Sequence, residues 1–175
     1  MTHAFDDILD ANRAYAEQFS LAGLPAPARK GVAVLTCIDS RIEPLPMLGL
    51  EPGDAKIFRN AGARVSDDAL RSLVLAANLL NVHRIMVVAH TDCAMSKTTD
   101  EELRETLGAR YPEAEVDELK FLVMDDQHAT LARDVARVRA SKLLPEHVTV
   151  AGFVYDVHTG LLTQVVDSTG ALITH

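Results

Sequence analysis

The sequence predicts an α/β protein with a mostly parallel central sheet of four strands, one antiparallel C-terminal hairpin strand, and helices on both faces. Short apolar runs rich in β-branched residues, such as 31-GVAVLT-36 and 84-RIMVVA-89, indicate buried strands. Segments with helical spacing of apolar residues separate these runs, and this alternation favours a parallel sheet. A chain of 175 residues, 48% apolar and 24% charged, is ordinary for a single globular domain.

The chain begins with a predicted extension of the domain. Apolar residues at helical spacing over 4–20 predict an amphipathic helix, although Asn12 interrupts the apolar stripe. A connector rich in proline and glycine follows. We therefore expect one domain over 1–175, in which 1–30 form an N-terminal helical extension and connector.

Strands and helices are expected to alternate through the rest of the chain. Ser66 is a good N-cap for a helix over Asp67–Leu80, and a second helix is expected over 125–141. The charged segment 97–120 predicts one or two short helices, interrupted at Gly108 and Pro112. The other strands are expected at 55–60, 148–156 and 161–167, the last two joined by a turn at 158–160.

The charge balance excludes two classes of partner. A net charge of −8 with neutral histidines repels phosphate backbones and anionic membranes, so we expect neither nucleic acid nor membrane binding. The start, MTHAFDDILD, lacks the basic and apolar regions of a signal peptide. No apolar run is long enough to span a bilayer, and we expect a cytoplasmic protein.

The two cysteines of the chain both follow predicted parallel strands. Cys37 comes directly after 31-GVAVLT-36, and His90 and Cys93 come after 84-RIMVVA-89. Ligands collect at the carboxyl ends of the strands in such sheets, so these side chains can meet. Two thiolates and one imidazole suit a tetrahedral zinc with one open position, the composition of a catalytic site. Buried structural thiols, a histidine bound to backbone, or a redox pair of cysteines are the alternatives.

Two charged residues accompany the first cysteine. Side chains alternate in an extended segment, so Cys37, Asp39 and Arg41 can share one face. A guanidinium can hold a carboxylate through two parallel hydrogen bonds. Held in this way, Asp39 can accept a hydrogen bond from a metal-bound water; released, it can occupy the fourth metal position and close the site. An ordinary loop salt bridge is the alternative.

Four segments together resemble the β-class carbonic anhydrases, in particular their compact bacterial branch. The resemblance covers about residues 30 to 167. It is carried by 37-CIDSR-41, 53-GDAKIFRNAG-62, 90-HTDC-93 and 151-AGFVYDVHTGLL-162.

The resemblance implies a function and a site. One Zn²⁺ per chain would be bound by Cys37, His90 and Cys93, with Asp39 and Arg41 as the catalytic dyad. The reaction would be reversible hydration of carbon dioxide to bicarbonate and a proton by zinc-bound hydroxide, in a lyase also called carbonate dehydratase. The resemblance further implies a homodimer or higher homo-oligomer, in which the N-terminal helix lies on the partner subunit.

Some features depart from the resemblance or leave alternatives open. Ala89 and Ala94 stand where the family usually has glycine, and their methyl groups can crowd the metal. Some relatives of this branch hydrolyse carbonyl sulfide or carbon disulfide, and a non-catalytic zinc protein is a second alternative. Asp92 is expected either to orient His90 or to cap the helix that follows.

The remaining polar groups near the expected site have less defined roles. The backbone of 61-AG-62 can donate to a developing oxyanion or form a simple turn. No histidine is an obvious proton shuttle, and the following are expected to be surface or structural: His83, His128, His147 and His158.

Overall fold

The computed structural model describes residues 3–173 and contains one five-stranded sheet in the order β2-β1-β3-β4-β5. The first four strands are parallel, and β5 pairs antiparallel with β4. This architecture confirms the predicted fold class, including the closing hairpin strand. The strands are β1 Val32–Cys37, β2 Ala55–Asn60, β3 Arg84–His90, β4 Thr149–Tyr155 and β5 Leu162–Val166.

The helices longer than one turn also fall where the sequence predicts them, with ends that differ by a few residues. Ser66 caps α3 as expected, because its side chain accepts a hydrogen bond from the Ala69 N–H at 3.3 Å. The helices are α1 Asp6–Glu17, α2 Pro44–Met47, α3 Asp67–Leu79, α4 Asp100–Arg110 and α5 Gln127–Arg139.

The predicted interruption at Gly108 is wrong, because α4 continues through this residue to Arg110. A single glycine costs a helix only about 1 kcal/mol relative to alanine. The capping box formed by Thr99 and Glu102 helps to offset that cost at the N-terminus. The helix ends before Pro112, as predicted, since proline disfavours helical backbone in the residue that precedes it.

The strand order places a switch point at the centre of the sheet. From β1 the chain moves to one side to form β2, and it then crosses to the other side to form β3. The loops that leave β1 and β3 therefore diverge, and they open a crevice beyond the carboxyl ends of the two strands. Cys37 is the last residue of β1 and His90 is the last residue of β3, so both lie at this crevice.

The main core lies between one face of the sheet and the helices α3 and α5. All six residues of β1 are buried, as expected of a central strand covered on both sides. The helices contribute apolar residues at helical spacing to this core: Ala69, Leu73 and Ala76 from α3, and Leu131, Val135 and Val138 from α5.

The opposite face of the sheet carries a smaller cluster built on Val32, Val34 and Val88. Met47 and Leu48, at the end of α2, pack against it. Among the described residues, every helix is too short or too polar to pass through a bilayer.

Gly152 is a packing constraint on β4. A Cβ atom at this position would lie 2.9 Å from Val166 Cβ and 3.0 Å from Leu131 Cγ. We expect Gly152→Ala to lower the free energy of unfolding by roughly 1–3 kcal/mol, the usual cost of overpacking. Chemical denaturation followed by circular dichroism measures this change.

Gly108→Ala is the matched control, because a Cβ at Gly108 meets no atom within 4 Å. This control is expected to stabilise the protein by up to about 1 kcal/mol through helix propensity. Equal effects of the two substitutions would contradict the packing argument.

Candidate metal centre

The structure brings Cys37, His90 and Cys93 together at the switch point. Their potential ligand atoms all lie within 4.8 Å of one another. Within residues 3–173, these three residues form the cluster of three or more metal-binding side chains. The exposed fractions of the three residues are 5%, 1% and 1%. A buried group of two thiols and one imidazole is a donor set that Zn²⁺ prefers.

The histidine has the tautomer that a metal ligand requires. His90 Nδ1 lies 2.7 Å from the Thr91 carbonyl oxygen, which can only accept, so Nδ1 carries the hydrogen. Nε2 is thereby left with a lone pair. Nε2 is buried and has no hydrogen-bond partner, unlike the other buried side-chain nitrogen and oxygen atoms of residues 3–173. An orphaned acceptor beside two sulfur atoms fits a metal ion.

The two sulfur atoms differ in their environment. A hydrogen bond from the Cys93 thiol is the main cause that lowers the pKa of Cys37, and further donors include the Gly62 N–H, 3.4 Å from Cys37 Sγ. The same contact with Cys37 raises the pKa of Cys93, and burial raises it further. Cys37 is therefore the sulfur that ionises first, and a divalent cation would stabilise both thiolates.

Gly62 is positioned by a turn that requires glycine. Its φ is +77°, and a Cβ would lie 3.2 Å from Met95 Cβ. Asn60 braces this turn by bonding both the N–H and the carbonyl of Arg64, at 2.8 and 2.7 Å. The expectation that this backbone serves an oxyanion is not met at Gly62, because its N–H donates to the Cys37 sulfur.

Asp39 and Arg41 form a two-point ion pair beside the ligands. Arg41 Nε donates to Asp39 Oδ1 at 2.9 Å, and Nη2 donates to Oδ2 at 2.8 Å. The backbone N–H of Arg41 adds a third bond to Oδ1 at 2.9 Å. Asp39 Oδ2 lies 3.9 Å from His90 Nε2, so the clamped carboxylate reaches the ligand group.

The clamp determines the charge of Asp39. Hydrogen bonds from Arg41 hold the pKa of this carboxyl far below its usual range. The pair contributes to stability above the ordinary carboxyl pKa of about 3.9, and this contribution is lost as the pH falls through the lowered folded-state pKa. Asp39 is therefore an ionised acceptor throughout the neutral range.

Two supporting residues escaped the sequence analysis. The Arg59 guanidinium donates to the carbonyl of Cys37 at 2.9 Å and to that of Asp39 at 2.7 Å, which holds the first ligand loop. Gln127, at the start of α5, donates to the His90 carbonyl at 2.9 Å. Their partners are 20 or more residues away in the chain, so no local pattern reveals them.

Asp92 has neither of its two expected roles. Thr91, not Asp92, orients His90, and the short turn that follows has no side-chain cap. The Asp92 carboxylate instead pairs with Lys97 at 2.6 Å and with His158 at 2.7 Å. Its φ is +59°, so the backbone here turns sharply between His90 and Cys93.

The two alanines that replace glycine are accommodated in different ways. Ala89 is buried in the main core as part of β3, where a methyl group adds packing. Ala94 is exposed, so its methyl group meets solvent rather than the ligands.

The apolar surroundings of the ligands are rich in sulfur. Cys37 and Cys93 share a buried cluster with Ile42 and with three methionines, Met47, Met95 and Met124, which we call the methionine wall. Thioether side chains are polarisable and adapt to small apolar molecules. The metal group thus has an ionised dyad next to it and an apolar lining that suits a small apolar substrate.

Comparison with known proteins agrees with this geometry. The family model for carbonic anhydrase matches residues 32–162, which include the three ligand candidates and the Asp39–Arg41 pair. Beta-carbonic anhydrase 1 of Mycobacterium tuberculosis is 33% identical over 171 residues, covering 91% of this chain and 96% of the relative. The carbon disulfide hydrolase of Saccharolobus solfataricus is also 33% identical over 171 residues, covering 85% and 84%.

Solved structures show the same arrangement of elements. The crystal structure of carbonic anhydrase from Streptococcus mutans superposes with a TM-score of 0.86 at 38% identity, covering 94% of this chain and 99% of that one. The sequence motifs, the sheet topology and the buried ligand group therefore lead to one conclusion: the chain belongs to the β-carbonic anhydrase family of enzymes.

Proposed function

We propose that this protein catalyses the reversible hydration of carbon dioxide to bicarbonate and a proton, with one Zn²⁺ bound by Cys37, His90 and Cys93. The observation that carries the proposal is the convergence of three buried ligand atoms within 4.8 Å of one another. A carboxylate that reaches His90 and is held by a guanidinium lies beside them. Membership of the carbonic anhydrase family supports the same activity.

Each residue of the site has a distinct task in this proposal. The bound zinc would supply Lewis-acid activation of water at neutral pH. Asp39, which stays ionised, accepts the hydrogen of the attacking water and turns an oxygen lone pair towards the substrate carbon. Arg41 fixes the carboxylate through the bonds at 2.8 and 2.9 Å, and it also keeps Asp39 from moving onto the metal as a fourth ligand.

Hydrolysis of carbon disulfide or carbonyl sulfide at the same site is the second candidate function. Two observations favour it: the similarity to the carbon disulfide hydrolase of Saccharolobus solfataricus, and the methionine wall around the thiols. Carbon disulfide is linear, apolar and polarisable, and thioethers suit such a ligand. A non-catalytic zinc protein is less consistent with the geometry, because the clamped Asp39 leaves three ligands rather than four.

We propose in addition that the protein forms at least a dimer through α1. No residue of α1 is buried within the described chain, although Ile8 is 62% and Leu9 51% exposed on its apolar stripe. An isolated helix of 12 residues is marginal in water, so α1 needs a surface to pack on. A second copy supplies that surface, and residues 1–30 then act as an arm of each subunit.

The ligand assignment is tested by Cys37→Ser. A hydroxyl is a poor ligand for Zn²⁺, so we expect zinc binding to weaken by more than the roughly 10–100-fold that loss of a supporting partner costs. Metal content after dialysis against a chelator, measured by elemental analysis, gives the result. Ser40→Ala, an exposed neighbour in the same loop, is the control and should retain zinc. Full zinc retention by Cys37→Ser would refute the assignment.

The catalytic role is tested by Asp39→Ala. This variant should keep its zinc and lose turnover by about 10²-fold or more, the contribution of a positioned acid–base group. Stopped-flow hydration of carbon dioxide measures turnover, and release of sulfide from carbon disulfide and carbonyl sulfide is measured on the same preparations. A wild-type protein that releases sulfide but does not hydrate carbon dioxide would replace the first function by the second.

The interface is tested by placing charge on α1. Ile8→Glu with Leu9→Glu is expected to shift the protein to a monomer, because burying two carboxylates in an apolar contact is unfavourable. Ala14→Glu puts the same side chain on the opposite side of the helix and should leave the assembly unchanged. Sedimentation velocity gives the oligomeric state. If the double variant remains as large as the control, α1 is not the interface.

A further inference from the structure

The turn between β4 and β5 is fastened to the loop that joins the two ligands of β3. The Thr91 N–H donates to the Tyr155 carbonyl at 2.9 Å, and the Thr91 hydroxyl donates to Asp156 Oδ1 at 3.3 Å. The Val157 N–H donates back to the Thr91 hydroxyl at 3.1 Å. Segments about 65 residues apart in the chain thus form one rim of the metal centre.

His158 is the residue that this turn places on the rim. Its Nε2 donates to Asp92 Oδ2 at 2.7 Å, and its backbone N–H donates to Asp156 Oδ1 at 2.8 Å. The side chain is 65% exposed, so the ring meets solvent while one nitrogen is held. Because Nε2 carries the hydrogen towards the carboxylate, Nδ1 is the nitrogen that can take up a proton.

The partner of His158 connects it to the catalytic loop. Asp92 lies between His90 and Cys93 in the chain, and its carbonyl oxygen accepts from Arg41 Nη2 at 3.5 Å. The same Arg41 nitrogen binds Asp39 Oδ2. The ring of His158 is therefore linked to the Asp39 carboxylate through three hydrogen bonds and two residues, Asp92 and Arg41.

The reaction proposed above creates a need for such a group. Each hydration consumes carbon dioxide and water and yields bicarbonate and one proton, and this proton has to reach the bulk buffer before the next cycle. Asp39 cannot retain it, because the bonds from Arg41 keep this carboxylate ionised. An imidazole is the side chain that both accepts and releases protons near neutral pH.

We propose that His158 is the proton-transfer residue of this enzyme, an inference that rests on the proposed function. An O–H bond of the consumed water breaks, and the proton passes through solvent water to form an N–H bond at His158 Nδ1. A buffer base then removes it. Asp92 is the positioning residue, since its carboxylate fixes the ring and stabilises the imidazolium.

The charges that face His158 suit a reversible proton carrier. Asp92 and Asp156 favour the protonated ring, whereas Lys97, bound to the other Asp92 oxygen at 2.6 Å, opposes it. Two of the other histidines lie far from the site. His83 and His147 precede β3 and β4, at the opposite end of the sheet from the ligands.

The test compares His158→Gln with His147→Gln in the zinc-loaded protein. In dilute buffer, kcat for carbon dioxide hydration by His158→Gln should fall by at least about tenfold, less than the full 10²–10⁴ of a general acid or base because solvent takes over part of the transfer. The kcat/KM value should not change, since it does not include proton release. Added imidazole buffer should restore kcat, and His147→Gln should match wild type throughout.

A measurement independent of turnover completes the test. In the NMR spectrum of the zinc-loaded protein without substrate, the imidazole signals of His158 should shift in Asp92→Asn, because a neutral amide then replaces the carboxylate that accepts from Nε2. Unchanged His158 signals in Asp92→Asn would overturn the inference. So would full kcat of His158→Gln in dilute buffer. Absence of carbon dioxide hydration in wild type would instead overturn the proposed function, and this inference with it.

Discussion

The parallel pairing of β1 with β3 is the constraint on which the metal centre depends. Thr36 lies opposite Val88, so Cys37 is aligned with Ala89 and lies next to His90 at the edge of the sheet. By alternation, Cys37 continues the face of Leu35, whereas His90 continues the face of Val88. Ligands from opposite faces can meet only beyond the edge. A slip of one residue would move the side chains of the slipped strand to the other face of the sheet and change this alignment.

Cys37, His90 and Cys93 are buried although they lie at the ends of strands and in the loop that follows. The chain turns in left-handed conformations at Gly62 and Ala63 after β2 and at Asp92 after β3. These turns present backbone N–H and carbonyl groups to the ligands, as the bonds to Cys37 Sγ and His90 Nδ1 show. Leaving a buried acceptor such as His90 Nε2 unpaired costs roughly 1–3 kcal/mol, a cost that a bound cation removes. The buried donor atoms of Cys37, His90 and Cys93 thus suit a bound cation.

Three kinds of side chain surround the site: those that bind loop backbone, one that binds the Asp39 carboxylate, and apolar ones that pack on the thiols. Arg59 and Gln127 hold the backbone that carries Cys37 and His90, Arg41 holds the Asp39 carboxylate, and the methionine wall packs around the thiols. Asp92, which lies between His90 and Cys93 in the chain, and its partner His158 are exposed to solvent. A proton and a small apolar substrate therefore encounter different chemistry at the same crevice, which suits a reaction whose substrate is apolar and whose products are ionic.

The sequence by itself determined the order and type of the elements, because apolar periodicity and capping residues such as Ser66 act over one or two turns of chain. It also singled out Cys37, His90 and Cys93, because rare ligand-type residues directly followed two strand patterns. A single domain and a cytoplasmic location stay predictions of the sequence. Tertiary structure alone decided which groups serve these residues: the Gly62 N–H, Thr91 in place of Asp92, and His158 at the rim. Such contacts join residues up to about 66 positions apart, and they depend on strand order and register, which no local pattern encodes.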